Sequence, residues 1–159
     1  MILFKHCFPG SDIGPDSGSP DAASGDKTLE NYQAAYNALK TKLRSFPNTR
    51  FIVWTLAMRT EADMQASYGG DHAGMAQRAR EFTDWVKSSW DERGDNIFVW
   101  DFYALETEGG LYLRPIYAAD PGDDSHPNGS FCATVAPLLG QRIVDVIEGR
   151  GDSGSLTGR

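Results

Sequence analysis

The stretch Asp123-Asp124-Ser125-His126-Pro127-Asn128 contains the residue types best suited to proton transfer. The ordinary pKa of histidine lies close to neutrality, so its ring can accept and return a proton within one reaction. An Asp three residues before a His, on a turn into a helix, brings a carboxylate within reach of the imidazole Nδ1–H and leaves Nε2 free as a general base. We expect His126 to be that base and Asp123 to orient it, with Asp124 as the alternative acid. If the stretch is only an exposed turn, His126 merely caps the last helix.

A base of this kind needs a nucleophile, and Cys7 is a candidate. It follows the first apolar run of the chain, and a Cys-His-Asp arrangement with His126 and Asp123 is chemically competent. The alternative for Cys7 is a buried structural role, the commoner fate of a free cysteine. The sequence leaves both roles open.

No metal site or cofactor is expected. The histidines His6, His72 and His126 are widely separated, and the chain has no His-x-x-x-His or Cys-x-x-Cys spacing. Its two cysteines, Cys7 and Cys132, cannot form a disulfide framework. This favours a reducing compartment, cytoplasmic for the chain as given, with a secreted or periplasmic location as the alternative for part of a longer precursor.

Composition narrows the classes of partner. The 159 residues carry 15 Lys and Arg against 22 Asp and Glu, a net charge of −7. Because a polyanion such as nucleic acid is bound by a basic face, we expect no nucleic-acid partner. We also expect no membrane partner, because the apolar runs look too short to span a bilayer. The length suits one domain, residues 1–149, followed by a polar and solvated tail, residues 150–159.

Three short apolar runs, each followed by a helical pattern, must position these residues. The runs are Ile2–Phe4, Phe51–Trp54 and Ile97–Trp100, and the helical patterns lie within Leu29–Phe46, Met75–Trp90 and Phe131–Ile147. Continuous apolar runs are typical of parallel strands covered on both faces. The order β-α-β-α-β-α predicts a three-layer α/β domain with a small parallel sheet.

The longest segments without periodicity follow the carboxyl ends of the predicted strands. These are Lys5–Gly25, Thr55–Gly70 and Asp101–Asn128, and ligands of open parallel sheets bind at that edge. A sheet of three strands leaves an unpaired edge. We expect either a further strand hidden in a loop, a second copy of the chain paired there, or a larger domain.

Several stretches are similar to one enzyme family. The block Asp123-x-x-His126-Pro127-Asn128, at the start of the last helix, resembles the final conserved block of the SGNH (GDSL-type) hydrolases. The run Ile2–Lys5 continuing into Cys7–Asp12 resembles the third block of that family, and Pro47–Thr55 resembles the strand after it. The resemblance covers residues 1–149, as the C-terminal two-thirds of the family. It implies a flavodoxin-like fold and hydrolysis of an ester or acetyl ester by acyl transfer.

The resemblance also implies site roles. His126 would be the base, Asp123 its partner, and Gly10 and Ser11 an oxyanion or substrate loop, although Ser11 stands where the family has Asn. The substrate would be a small-molecule ester or an acetylated glycan. The nucleophilic Ser that the family carries on its first strand has no counterpart upstream, which implies an isolated chain with little activity, or one that uses Cys7.

Two alternatives stay open. The segment Gly151-Asp152-Ser153-Gly154-Ser155-Leu156 is similar to the Gly-Asp-Ser-Leu motif and would indicate a circular permutation, against the simpler interpretation of a flexible tail. The alternative for the whole chain is a non-catalytic ligand-binding or self-assembling α/β module derived from such a hydrolase. The unpaired sheet edge favours this second function.

Overall fold

A computed structural model describes all residues, 1–159, and contains two sheets and five α-helices. The strands are β1 (Ile2–Phe4), β2 (Phe51–Trp54), β3 (Ile97–Trp100), β4 (Ala118–Asp120) and β5 (Asp124–Pro127). The helices are α1 (Leu29–Arg44), α2 (Glu61–Tyr68), α3 (His72–Trp85), α4 (Phe102–Thr107) and α5 (Gly129–Ile147). Strands β1, β2 and β3 form a parallel sheet in that order, and β4 pairs with β5 in an antiparallel hairpin.

The parallel sheet separates two apolar cores. Because successive side chains of a strand point to opposite faces, Val53 and Val99 lie in one core while Ile52 and Trp100 lie in the other. Helices α1 and α3 cover the first face, and α5 covers the second. The prediction of an α/β domain with a small parallel sheet and helices on both faces is therefore confirmed at this level.

Two of the predicted helices, α1 and α5, begin at a residue whose side chain caps them. The Thr28 side chain accepts a hydrogen bond from the Asn31 amide at the start of α1, and Asn128 does the same for Phe131 at the start of α5. These caps satisfy amide groups that have no partner inside a helix. Pro137 lies inside α5 rather than in its first turn.

Two segments expected to be irregular contain short regular elements. Helix α2 lies within Thr55–Gly70 and is capped by Thr60, and α4 and the β4–β5 hairpin lie within Asp101–Asn128. Such short elements carry too few residues to show a clear apolar period. The hairpin forms its own sheet, so it does not extend the parallel one.

The terminal segment, predicted to be solvated, packs against the domain instead. The Asp101 amide donates to the Leu156 carbonyl over 2.9 Å, and the Trp100 indole donates to the Thr157 carbonyl over 3.2 Å. Gly158 is buried, and a Cβ at that position would overlap the carbonyl of Leu138. These contacts cover the outer side of β3, whereas the outer edge of β1 is unpaired.

Helix α5 is the one helix that is long and apolar enough to cross a bilayer, with a mean hydropathy of 1.3. In the structure 28% of this apolar stretch is buried, and Phe131, Val135 and Val146 pack in the second apolar core. Its buried Arg142 donates to the Val99 carbonyl of β3 over 2.8 Å. Length and composition alone are therefore weak grounds for a membrane span here.

Candidate active site

Cys7, His126 and Asp124 form a continuous chain of contacts at the carboxyl end of the sheet. The Sγ atom of Cys7 lies 3.6 Å from Nε2 of His126, although 119 residues separate them. Nδ1 of His126 lies 2.6 Å from Oδ1 of Asp124. A carboxylate can only accept, so Nδ1 carries the proton and Nε2 faces the thiol as an acceptor. The arrangement is that of a nucleophile, a base and an acid that orients the base.

The carboxylate that contacts the His126 ring is that of Asp124, in contrast to the predicted contact from Asp123. Residues 124–127 form the strand β5, and alternate residues of a strand point to the same side. Asp124 and His126 therefore share one side, whereas Asp123 belongs to the turn before the strand and makes no hydrogen bond to the ring. The sequence argument assumed a turn at this point, where a spacing of three residues is favourable.

The carboxylate of Asp124 is held in its charged form. The backbone amide of His126 donates to it over 2.9 Å, and the ring of His126 donates to the same oxygen. These two hydrogen bonds, the backbone one first, lower the pKa of Asp124 below its usual range. A proton that moves from Cys7 to His126 thus finds a negative charge beside the ring.

The Cys7–His126 contact opens onto an apolar cleft of about 330 Å³. Its apolar walls are formed by Phe8, Trp54, Ala57, Trp100, Phe102, Pro127, Val135, Ala136 and Leu139. The Trp54 and Trp100 rings meet edge to face with their centroids 4.3 Å apart. The cleft has the size and composition of a small-molecule site, which is largely apolar with a few polar groups.

Gly10 and Ser11 lie outside this cleft, in contrast to the predicted oxyanion or substrate loop. Residues Phe8–Ser11 form one 3-10 turn, in which the Gly10 amide donates to the Cys7 carbonyl over 2.7 Å. The Ser11 side chain is fully buried and donates to the Phe8 carbonyl. Because these two groups form hydrogen bonds within the turn, they are not available to a ligand. The amide of Phe8, the first residue of the turn, has no acceptor within the protein.

A buried ion cluster supports the Cys7 turn. The guanidinium of Arg59 binds Asp12 over 2.8 Å and Asp63 over 2.9 Å; the two acids are buried, and the Arg59 side chain is 13% exposed. Its centre lies 4.7 Å from the ring of Phe8. Burial disfavours the charge of Arg59, but its hydrogen bonds and ion pairs with both acids outweigh burial and raise its pKa above the usual range.

The same cluster extends to the strand that carries His126. Ser125 is buried, donates to Asp63 and accepts from the Thr60 amide over 3.0 Å. The ring of Phe8 meets that of His126 edge to face, with centroids 4.8 Å apart. Neither Arg59 nor Asp63 was expected at the site from the sequence, since nothing local to either residue indicates partners so far along the chain.

The remaining candidates are not brought to the cleft. The segment Gly151–Leu156 runs along β3, from Asp152, which accepts from the Gly94 amide ahead of the strand, to Leu156, which accepts from the Asp101 amide after it, and it does not line the cleft. His6 is mostly buried between Tyr32 and Tyr36, and burial lowers its pKa. No group of His, Cys, Asp and Glu residues in the structure is arranged to hold a metal ion.

Comparison with known proteins identifies no relative of the chain. No protein-family model, no curated protein and no solved structure matches the chain at a significant level.

The Arg59 cluster should contribute more to stability than any exposed ion pair. We expect Arg59→Met to lower the free energy of unfolding by about 3–5 kcal/mol, because it leaves the buried carboxylate of Asp63 without an ion pair and that of Asp12 with only a longer contact to Lys27. Urea denaturation measures this loss. Arg114→Met, which breaks an exposed pair with Glu108, is the matched control and should cost less than about 1 kcal/mol. Equal losses in the two variants would refute the role of the cluster.

Proposed function

We propose that the protein hydrolyses esters by acyl transfer, with Cys7 as the nucleophile. The single observation that carries this proposal is the chain of contacts from Cys7 through His126 to Asp124, with Sγ–Nε2 and Nδ1–Oδ1 distances of 3.6 and 2.6 Å. Cys7 is exposed, so a substrate can reach its sulfur. A thiol paired with a histidine is an effective nucleophile because the histidine removes its proton.

The first half of the reaction forms a thioester. His126 takes the Cys7 proton on Nε2 while Asp124 stabilises the charged ring, and the thiolate attacks the carbonyl carbon of the ester. The negative charge that develops on the carbonyl oxygen needs a donor, and the free amide of Phe8 is adjacent in sequence to the nucleophile. The bond to the leaving alcohol then breaks, and His126 returns the proton to the alcohol oxygen.

The second half releases the acid. His126 removes a proton from a water molecule, which attacks the thioester on Cys7, and the carbon–sulfur bond breaks. The sulfur leaves as a thiolate and regains its proton from His126, so the enzyme returns to its starting state. The net reaction is ester plus water to carboxylic acid plus alcohol, and it requires no cofactor.

A relationship to the SGNH hydrolases belongs to the same proposal. It is supported by the order of strands and helices and by the His-Pro-Asn sequence at the start of α5. Two features depart from that pattern: the acid beside His126 is Asp124, and the nucleophile proposed is a cysteine. The fold to which the relationship points would be the flavodoxin-like one.

A set of single variants tests the hydrolase by turnover of p-nitrophenyl acetate. We expect Cys7→Ala to fall to the rate of buffer, and His126→Ala to lose at least about 100-fold through loss of the base. Asp124→Asn should lose about tenfold or more through loss of the charge beside the ring.

The matched controls are Asp123→Asn and Cys132→Ser, and both should keep the wild-type rate. Wild-type protein that turns over no faster than buffer would contradict the proposal, as would a Cys7→Ala variant that retains activity.

Self-association is a second candidate, and the edge of the sheet favours it. The outer side of β1 is unpaired, and Ile2 and Leu3 are 51% and 37% exposed. Such an edge pairs readily with another strand, and two copies of β1 can pair around a two-fold axis to give one continuous sheet.

Sedimentation velocity over a range of concentrations tests the second candidate. We expect a concentration-dependent dimer for the wild type and a monomer for Leu3→Lys, since a lysine on an edge strand blocks pairing. Val144→Lys places the same change on α5 at a similar exposure, 40%, and should leave the dimer intact. A wild type that stays monomeric at every concentration would rule the dimer out.

A further inference from the structure

Lys5 is the one ammonium group in the wall of the apolar cleft. It follows β1 directly and lines the cleft together with Cys7 and His126. Its Nζ atom lies 6.0 Å from the centroid of the Trp54 ring, a distance that allows a weak cation–π attraction. The cleft thus combines an apolar interior with a positive charge near the proposed nucleophile.

Lys5 has no acidic partner in the protein. Of the five lysines, Lys27, Lys40 and Lys87 form ion pairs with carboxylates, and Lys42 lies over the ring of Phe46. Lys5 makes no ion pair, although the protein has 22 acidic residues and a net charge of −7. A cation left unpaired in so acidic a protein is available to an anionic group of a ligand.

Glu106 is the acid whose charge interacts with Lys5, but it forms no ion pair with Lys5 that would replace an anionic ligand. Glu106 is fully buried, and its Oε1 accepts from the Met58 amide over 2.5 Å while Oε2 has no partner. Burial raises the pKa of Glu106 well above its usual range, against the opposing effects of the Met58 amide and the charge of Lys5. Glu106 therefore makes its one hydrogen bond inside the protein, and it forms no ion pair with Lys5.

We infer that the cleft binds a monocarboxylate with an apolar chain, the chain lying between Trp54 and α5 and the carboxylate at Lys5. The apolar lining matches the chain, and the unpaired ammonium matches the head group. The inference rests on the proposed function in one respect: the carboxylate is the acid that ester hydrolysis releases, so esters of such acids are the substrate class. Lys5 is then the residue that holds the charged acid, which forms only when the neutral ester is hydrolysed.

Octanoate and 1-octanol are the probes that test this assignment, because they share a chain length and differ in head-group charge. Binding is monitored in NMR titrations of the 159-residue protein through the indole N–H signals of Trp54 and Trp100. We expect octanoate to shift both signals and to bind more tightly than octanol. Lys5→Met should raise the Kd of octanoate about three- to fivefold, the scale of a partly exposed ion pair, and leave the Kd of octanol unchanged.

Lys42→Met is the matched control, since it removes an equally unpaired lysine from α1 and should change neither Kd. Equal affinity for the two probes in the wild type, an octanoate Kd that Lys5→Met does not change, or no shift of either indole signal would overturn the assignment. The binding assay needs no turnover, so it separates the two proposals. If octanoate binds in a way that depends on Lys5 but the protein hydrolyses no ester, the ligand class stands and only the hydrolysis is rejected.

Discussion

The buried pairing of Arg59 with Asp12 and Asp63 is the constraint on which the site depends. A guanidinium removed from water must be compensated, and here each acid comes from a different segment of the chain. Asp12 follows the turn that holds Cys7, and Asp63 lies on α2 and binds Ser125 next to His126. Compensation of the Arg59 charge therefore holds three segments together at the same edge of the sheet: the turn before Asp12, α2 and β5. It brings a thiol and an imidazole into contact across most of the chain.

The cleft follows from how the second face of the sheet is covered. Helices α1 and α3 pack on the first face, whereas α5 is the main cover of the second. Near the carboxyl ends of β2 and β3 this leaves Trp54 and Trp100 beside an open space, with Cys7 and His126 at its margin. An apolar surface next to a group that transfers protons strengthens the electrostatic interactions there, because little water competes. In the proposed function, binding and chemistry share this one concavity, and the unpaired Lys5 supplies its charge.

The strands and the long helices could be predicted from the sequence because their signals are local and repeated. Phe51–Trp54 and Ile97–Trp100 are continuous apolar runs, and α1 and α5 carry an apolar face and a capping residue. Helix α2 escaped prediction, since its eight residues have no marked apolar face. The packing of the terminal segment also escaped prediction, because it is held by hydrogen bonds to its backbone carbonyls and Leu156 is its one large apolar side chain against the core.

The site was only partly predictable for the same reason. His126 and Cys7 were identified from residue type and position, but the choice between Asp123 and Asp124 depends on whether the backbone at that point is a turn or a strand. The Arg59 cluster joins Arg59 to an acid 47 residues away, and no spacing rule in one sequence encodes such a contact. Interactions between distant segments, which hold this site together, were the part that the sequence did not reveal.

The central claim is that Cys7 carries the acyl group during turnover, and mass spectrometry of the acid-quenched protein tests it most directly. Wild-type protein is mixed with p-nitrophenyl acetate, quenched during the first turnovers and digested. Our account predicts one acetyl group, on the peptide that contains Cys7, and its absence in His126→Ala. Turnover with no acetyl group on Cys7, or with the group on another residue, would contradict it.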